Sequence, residues 1–306
     1  MRTHIFNRMT AGEIEKYLAD GKDAIFVAIG STGAHGSMPV DAEAVLADGL
    51  ATALAEKAGA VALVGLPFFY PGEAVISSGT VYTSLRDGYE YLWKILISLK
   101  RQGFRKLFLV PSHENITIML RALTRDFFEA THLHPIVVDL KSVLTGAKKH
   151  DSTNMFKAGD NTRQNYIMEM QKRLHDALPD AAAYERLICG AYSIMGKKDE
   201  LIVDPDLENV EATDLDPAVA GFVKRAGRFR GTVAELRDDP HRIAGGCVFR
   251  SEEERDRVCE ENEKKLRAAV DYLDLEHLLK VVGDYQVYSL KVCEKFPRFN
   301  RLAEDR

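Results

Sequence analysis

The chain has 306 residues, 46% of them apolar and 28% charged, which is enough apolar side chain for a substantial core in one large domain or two small ones. Lys and Arg number 41 against 46 Asp and Glu, a net charge of −5 that excludes a global basic field for nucleic acid or an anionic membrane. No apolar run approaches the ~20 residues of a membrane helix, and the start Met1-Arg2-Thr3-His4 shows no secretory signal. The four cysteines, Cys189, Cys247, Cys259 and Cys293, are irregularly spaced without a C-x-x-C pair, so reduced thiols in a cytoplasm are expected.

Taken in order, the first 140 residues alternate apolar runs with amphipathic stretches. Ala24 to Ile29 is a continuous β-prone run, expected of a strand covered on both faces. It ends in a loop rich in Gly, Ser and Thr, after which a helix is predicted from Ala42 to Lys57, stopped by Gly59. Ala60 to Leu66 reads as a second strand ended by Pro67. Ser84-Leu85-Arg86-Asp87 resembles an acidic capping box and opens a helix running to Gln102. Leu107 to Val110 is the third strand, a helix spans Ile116 to Phe128, and Pro135 to Leu140 is the fourth strand. This alternation predicts right-handed βαβ crossovers and a mainly parallel sheet with helices on both faces.

The second half is less regular. Asn161 to Leu178 reads as a helix, and Leu187 to Ile194 as a strand or a buried helix. Lys197 to His241 is a polar insertion with Pro205, Pro217 and Pro240. Ser251 to Tyr272 is a charged helix with a capping-box-like start, expected to be solvated or to lie at an interface. The whole reads as one α/β domain, residues 1–306, with a C-terminal elaboration and the insertion 197–241 within it.

Ligands of a parallel sheet bind beyond the carboxyl ends of its strands. His35 lies in the loop after the first strand, and His113 directly follows the third. Glu43, at the start of the first predicted helix, and Glu114, beside His113, could bring carboxylates to the same edge. Imidazoles with carboxylates suit zinc or manganese, while a loop histidine by itself more often serves as a cap or hydrogen-bonding group. Gly30, Gly33 and Gly36 fit neither a P-loop nor a dinucleotide fingerprint. His132 and His134 flank Leu133 and suit a surface or strand edge. Phe68, Phe69 and Tyr70 suit core and pocket wall, and Trp93 a packed helix face.

Three blocks in register resemble the creatininase (creatinine amidohydrolase) family. Gly30-Ser31-Thr32-Gly33-Ala34-His35-Gly36 with Met38-Pro39-Val40 and Glu43 resembles its pattern G-S-T-E-Q-H-G-x-H-L-P-L-x-x-D. Leu66-Pro67 through Tyr70, Gly72-Glu73 and Ser78-Gly79-Thr80 is similar to its second block. Leu92 to Asn115, ending His113-Glu114-Asn115, is similar to its third, a helix, a strand and an N-G-H loop. The resemblance covers residues 10 to 140 and implies a creatininase-like fold.

It also implies a site of one or two Zn2+ or Mn2+ ions. Carried over position by position, the metal ligands fall on His35, Glu43 (with Asp41 as the fallback), His113 and Glu114, while the family's first Glu falls on Gly33 and is lost. A further block, H-A-G followed by E-T-S, is matched by Phe156 to Thr162 and puts Lys157 where the family has a catalytic His. His150 and Glu73 are substitute acid–base candidates. The implied activity is a metal-dependent hydrolase acting on the carbonyl of a small cyclic substrate. That substrate is either a cyclic amide or a keto-inositol such as 3-dehydro-scyllo-inosose, cleaved by C–C hydrolysis. The loss at Gly33 leaves two other readings, an inert family member that binds a small molecule or serves as a structural subunit, and a metal-free enzyme forming a Schiff base on Lys157. The resemblance further implies a homo-oligomer, commonly a hexamer; the charge balance and the lack of a long apolar run give the expectation of no nucleic-acid or membrane partner.

Overall fold

Runs of apolar residues at the predicted places form a four-stranded, wholly parallel sheet: β1 (Ala24–Ile29), β2 (Val61–Leu63), β3 (Lys106–Pro111) and β4 (Ile136–Val137), in the order β2-β1-β3-β4. The computed structural model describes residues 1–145, 162–180, 182–208 and 245–296, with 217 and 221 singly. Phe26 pairs with Phe108 and Leu109 with Val137, so side chains alternate between two faces in register.

Each face has its own apolar core. Phe26, Ala28, Phe108 and Val110 point to one side, where the Phe26 and Phe108 rings stack at 4.7 Å. Ile25, Val27, Ile29, Leu107 and Leu109 point to the other. Because both faces are covered, all six residues of β1 are buried, which is why its sequence is a continuous apolar run and not an alternating one.

The helices are α1 (Ala11–Ala19), α2 (Ala42–Ala58), α3 (Leu85–Gln102), α4 (Glu114–Thr131), α5 (Leu140–Thr145), α6 (Thr162–Ala177), α7 (Ala183–Met195), α8 (Glu252–Asp271) and α9 (Leu275–Lys295). α1, α3 and α4 cover the second face, through Tyr17, Leu92, Leu96, Leu99, Leu120, Leu123 and Phe127. Trp93 lies against that core, stacked on Tyr89 at 6.0 Å and edge-on to Phe127 at 5.3 Å. α2, α7 and α8 form the layers on the first face.

Local chemistry sets the boundaries. The Ser84 hydroxyl accepts the Asp87 N–H and starts α3, and Gly59 and Gly103 end α2 and α3. Both edge strands are shorter than their apolar runs. The Asn7 side chain donates to the Val64 carbonyl at 3.0 Å and accepts its N–H at 3.1 Å, taking the groups that would have continued β2. Asp139 accepts the N–H and the hydroxyl of Ser142, which turns the chain from β4 into α5.

Leu187 to Ile194, open to either reading in the sequence, is helical. It lies within α7, whose Ala and Gly residues let α2 and α8 approach from two sides. A Cβ on Gly190 would stand 2.5 Å from the Asn262 backbone, so only glycine permits this α7–α8 approach. The charged helix Ser251 to Tyr272 is α8, capped by the Ser251 hydroxyl. It is more than a solvated face, because Cys259, Asn262, Leu266 and Val270 are buried against α7 and the core. Phe69 is buried as expected, whereas Phe68 faces solvent, since successive residues of an extended segment point opposite ways. No described helix is long and apolar enough to cross a membrane.

Candidate metal centre

With β2 on one side of β1 and β3 on the other, the loops leaving β1 and β3 diverge and open a crevice at the carboxyl edge of the sheet. The loop after β1 is pinned by Thr32, whose hydroxyl donates to the Pro67 carbonyl at 2.9 Å. The Gly33 N–H donates to the Val40 carbonyl at 2.8 Å, and the Met38 N–H to the His35 carbonyl at 3.0 Å. These bonds fix the turn that presents His35. At the end of β3 the Ser112 N–H donates to the Ile29 carbonyl at 3.0 Å, and the next residue, His113, is the N-cap of α4.

Two histidine–carboxylate pairs result. His35 Nε2 stands 3.9 Å from Glu185 Oε1 on the first turn of α7, and His113 Nε2 stands 4.0 Å from Glu43 Oε1 on the first turn of α2. Neither separation is a hydrogen bond. The His35 Nε2 and Glu185 Oε2 atoms are buried and without a hydrogen-bond partner, as is the Ser112 hydroxyl. Glu43 accepts a hydrogen bond from the Ser31 hydroxyl, which aims its other oxygen at His113. Asp41 is directed elsewhere: it accepts the Tyr192 hydroxyl at 2.7 Å and faces Lys197 at 3.5 Å. Of the two alternatives for that position, only Glu43 therefore faces a histidine.

Tyr184 stands among these groups. Its ring lies 6.0 Å from that of His35, and its hydroxyl donates to the Ser112 carbonyl at 3.4 Å. Burial, with the charges of Glu43 and Glu185 adding to it, pushes this phenol far above its ordinary pKa. It stays a hydrogen-bond donor at neutral pH. Across the crevice the backbone of Gly245 presses on the pair, for a Cβ there would lie 2.9 Å from Glu185 Oε1 and 3.6 Å from His35 Nε2.

A buried, unpartnered imidazole nitrogen facing a carboxylate whose second oxygen, Oε2, is also buried and unpartnered fits a divalent ion. Ligands about 2.1 Å from a tetrahedral ion stand about 3.4 Å apart, so the His35–Glu185 pair needs to close by about half an ångström. His113 is set differently. Its Nδ1 accepts the Asn115 N–H at 3.1 Å, so the neutral ring carries its proton on Nε2, toward Glu43. Binding an ion through that nitrogen requires the proton to leave. Among the described residues no three His, Cys, Asp or Glu side chains converge on one point; they form the two pairs.

Of the other candidates, Glu114 is the first residue of α4 and Glu73 lies in the short 3-10 turn Gly72–Ile76, the side chains of both being outside the described residues. Gly72 itself packs on His113 and Asn115, where a Cβ would meet the Asn115 amide at 2.2 Å. His150 and Lys157 lie outside the described residues. Gly33 faces Ala74, Pro71 and Thr80 at 3.0 to 3.5 Å from a notional Cβ, so that position is tightly enclosed.

The sequence reading missed Glu185 and Tyr184. Their signal was the run Ala181-Ala182-Ala183-Tyr184-Glu185, small residues and then an acid just ahead of the apolar segment from Leu187. Beyond His113 the crevice widens into a cavity of about 600 Å3, walled by Ser112, His113, Tyr184 and Val137 with Arg121 and Lys141 at its margin.

The model of the family "Creatininase: Creatinine amidohydrolase" matches residues 7–176, more than half the chain. The chain belongs to the creatininase family. Its members are metal-dependent hydrolases. A crystal structure of creatinine amidohydrolase superposes with a TM-score of 0.51 at 16% identity, over 88% of this chain and 97% of that one. A structure described as "Creatininase Mn" gives 0.50 at 16% identity over the same shares. At such identity the likeness is one of fold, an α/β creatininase-like fold. No curated protein matches the chain.

Proposed function

We propose that this chain is a metal-dependent hydrolase that attacks the carbonyl of a small cyclic substrate, a cyclic amide or a keto-inositol, with a metal-activated water. The observation that carries the reading is the His35–Glu185 pair, in which Nε2 stands 3.9 Å from Oε1 and in which Nε2 and the other carboxylate oxygen, Oε2, are buried without a hydrogen-bond partner. Unsatisfied buried donors and acceptors cost about 1–3 kcal/mol each, so a site that keeps them is built for something to bind. Glu185 also supplies beside His35 the carboxylate that the resemblance loses at Gly33.

His35 and Glu185 would hold the ion, Zn2+ or Mn2+, with Glu43 and His113 on the opposite wall; manganese is named for one solved family structure. Bound there, it would lower the pKa of a water toward neutrality and polarise a carbonyl. The protein's own groups do the rest. Tyr184, whose hydroxyl makes only a long 3.4 Å bond to the Ser112 carbonyl, would turn to donate to an oxygen entering the crevice. Glu43, held in orientation by Ser31, takes up a proton and returns it to the leaving atom, toward which neutral His113 directs its Nε2–H as a hydrogen-bond donor. The cavity beside them is of the size used for small-molecule recognition.

The test is metal content per chain, by mass spectrometry after reconstitution, in wild type, His35→Ala and Glu185→Gln. One to two ions in wild type, reduced at least tenfold in affinity in both variants, support the reading and justify assays on cyclic amides and keto-inositols. No uptake by wild type would overturn it and leave the inert, small-molecule-binding family member, which the missing acid at Gly33 favours.

A further inference from the structure

The long helix α9 buries one face, through Leu275, Val282, Gln286, Ser289 and Cys293. Beside that face runs a second apolar stripe: Leu278, Val281, Tyr285, Tyr288 and Val292. The spacing of three and four residues places all five on one side of the helix, the repeat of a coiled-coil seam. Val281 is 44% exposed, Tyr285 45% and Tyr288 63%. Aromatic rings extend the stripe onto the end of α4, with Phe128 stacked on His134 at 4.5 Å, His134 edge-on to Tyr285 at 5.3 Å, and Tyr285 beside Tyr288 at 6.3 Å. Burial, with Arg125 adding to it, holds the His134 pKa below its usual value, which favours the neutral ring.

We propose that α9 pairs antiparallel with α9 of a second copy of this chain, about a two-fold axis between Gln286 and Val287. A three-four repeat is filled best by another helix, and the charges along the seam select its direction. Asp284 precedes Tyr285 and Lys291 precedes Val292, both on the outer flank. The opposite flank is occupied by the buried Val282 and Ser289. In an antiparallel pair Tyr285 packs on Tyr288 of the other copy and Val281 on Val292, which brings Asp284 opposite Lys291 of the other copy, twice by symmetry. A parallel pair sets each of these charges against the buried flank and leaves it without a partner. Asp284 also meets Lys280 at 2.9 Å, an exposed pair within one helix turn that is readily exchanged.

Sedimentation equilibrium on the full chain from about 1 to 100 µM tests this directly, with Tyr288→Lys, Asp284→Lys, Lys291→Asp and the double swap. Wild-type self-association is expected, as a dimer or a larger assembly built on this two-fold contact, weakened about 30-fold by Tyr288→Lys, the loss of a central aromatic anchor. Each single swap is expected to weaken it several-fold by setting like charges face to face, and the double swap to restore it. These positions are solvent-exposed, so circular dichroism should show unchanged helix content. A wild-type monomer throughout the range would overturn the proposal. So would an assembly indifferent to Tyr288→Lys, or single swaps that the double swap does not rescue.

Discussion

Residues that carry charge into this fold do so at identifiable expense, and Asp48 shows it most clearly. It sits on α2, its Oδ1 accepting the Gly65 N–H at 3.0 Å, and burial raises its pKa from 3.8 to about 6 despite that bond and the pull of Lys197. The folded chain therefore binds this proton more tightly than the unfolded one, so between pH 3.8 and 6 stability falls as pH rises and the penalty is fully present at pH 7. Asp48→Asn keeps the accepting oxygen and removes the charge. It is expected to stabilise the protein by about 1–2 kcal/mol at pH 7, with the gain gone near pH 4, as measured by urea denaturation at the two pH values. A gain equal at both would place the effect outside titration. At this scale the sequence was legible where a residue lay next to a strand end, as His35, Glu43 and His113 do. Glu185 was not, because its place beside His35 depends on how α7 docks across α2, a contact between residues 150 apart with no local pattern to mark it.

Helices and strands were legible to the extent that local chemistry closed them. β1, α2 and α3 have a hydrophobic run or an amphipathic face bounded by a capping serine or a glycine, and their limits agree with expectation within a residue or two. β2 and β4 were over-long in the reading because Asn7 and Asp139 end them, the first through a tertiary contact no window can contain. α8 was misjudged for a related reason. Its charged residues form ion pairs such as Arg267 with Glu56 and Glu263, on the flanks of a narrow buried stripe. The glycine that lets α7 meet that stripe supplies the prediction. Gly190→Ala sets a methyl 2.5 Å from the Asn262 backbone and is expected to cost about 3 kcal/mol or more. The same substitution at Gly12, on open α1 with nothing within 4 Å, should be neutral or stabilise by about 0.5–1 kcal/mol. Denaturant midpoints of the two variants, if indistinguishable, would show that α7 and α8 tolerate a wider separation.

The molecule as a whole uses its C-terminal half to close what the N-terminal half opens. The sheet and the loops after β1 and β3 build two walls of the crevice, α7 brings Glu185 and Tyr184 as a third, and the segment at Gly245-Gly246 lies over them. Gly36, at φ +56, meets the carbonyl of Gly245: a Cβ on Gly36 would fall 1.8 Å from that oxygen, an overlap no side-chain rotation relieves. Gly246 meets Ser37 in the same way, with a notional Cβ 2.1 Å from the hydroxyl oxygen. Two stretches about 210 residues apart are thus in backbone contact at the edge of the proposed metal pair. Gly36→Ala should therefore displace the 245–246 segment without replacing any candidate ligand, and adds backbone strain of its own at φ +56 beside His35. If that segment seals the His35–Glu185 pair from water, the ion should be held at least tenfold more weakly and exchange faster with a chelator, while His35 and Glu185 remain in place. Calorimetric titration with Zn2+ or Mn2+, beside hydrogen exchange over residues 245–249, measures both effects. Faster exchange with unchanged metal affinity would make the segment a structural tie, and the pair would then be closed by its own enclosure between β1 and α7.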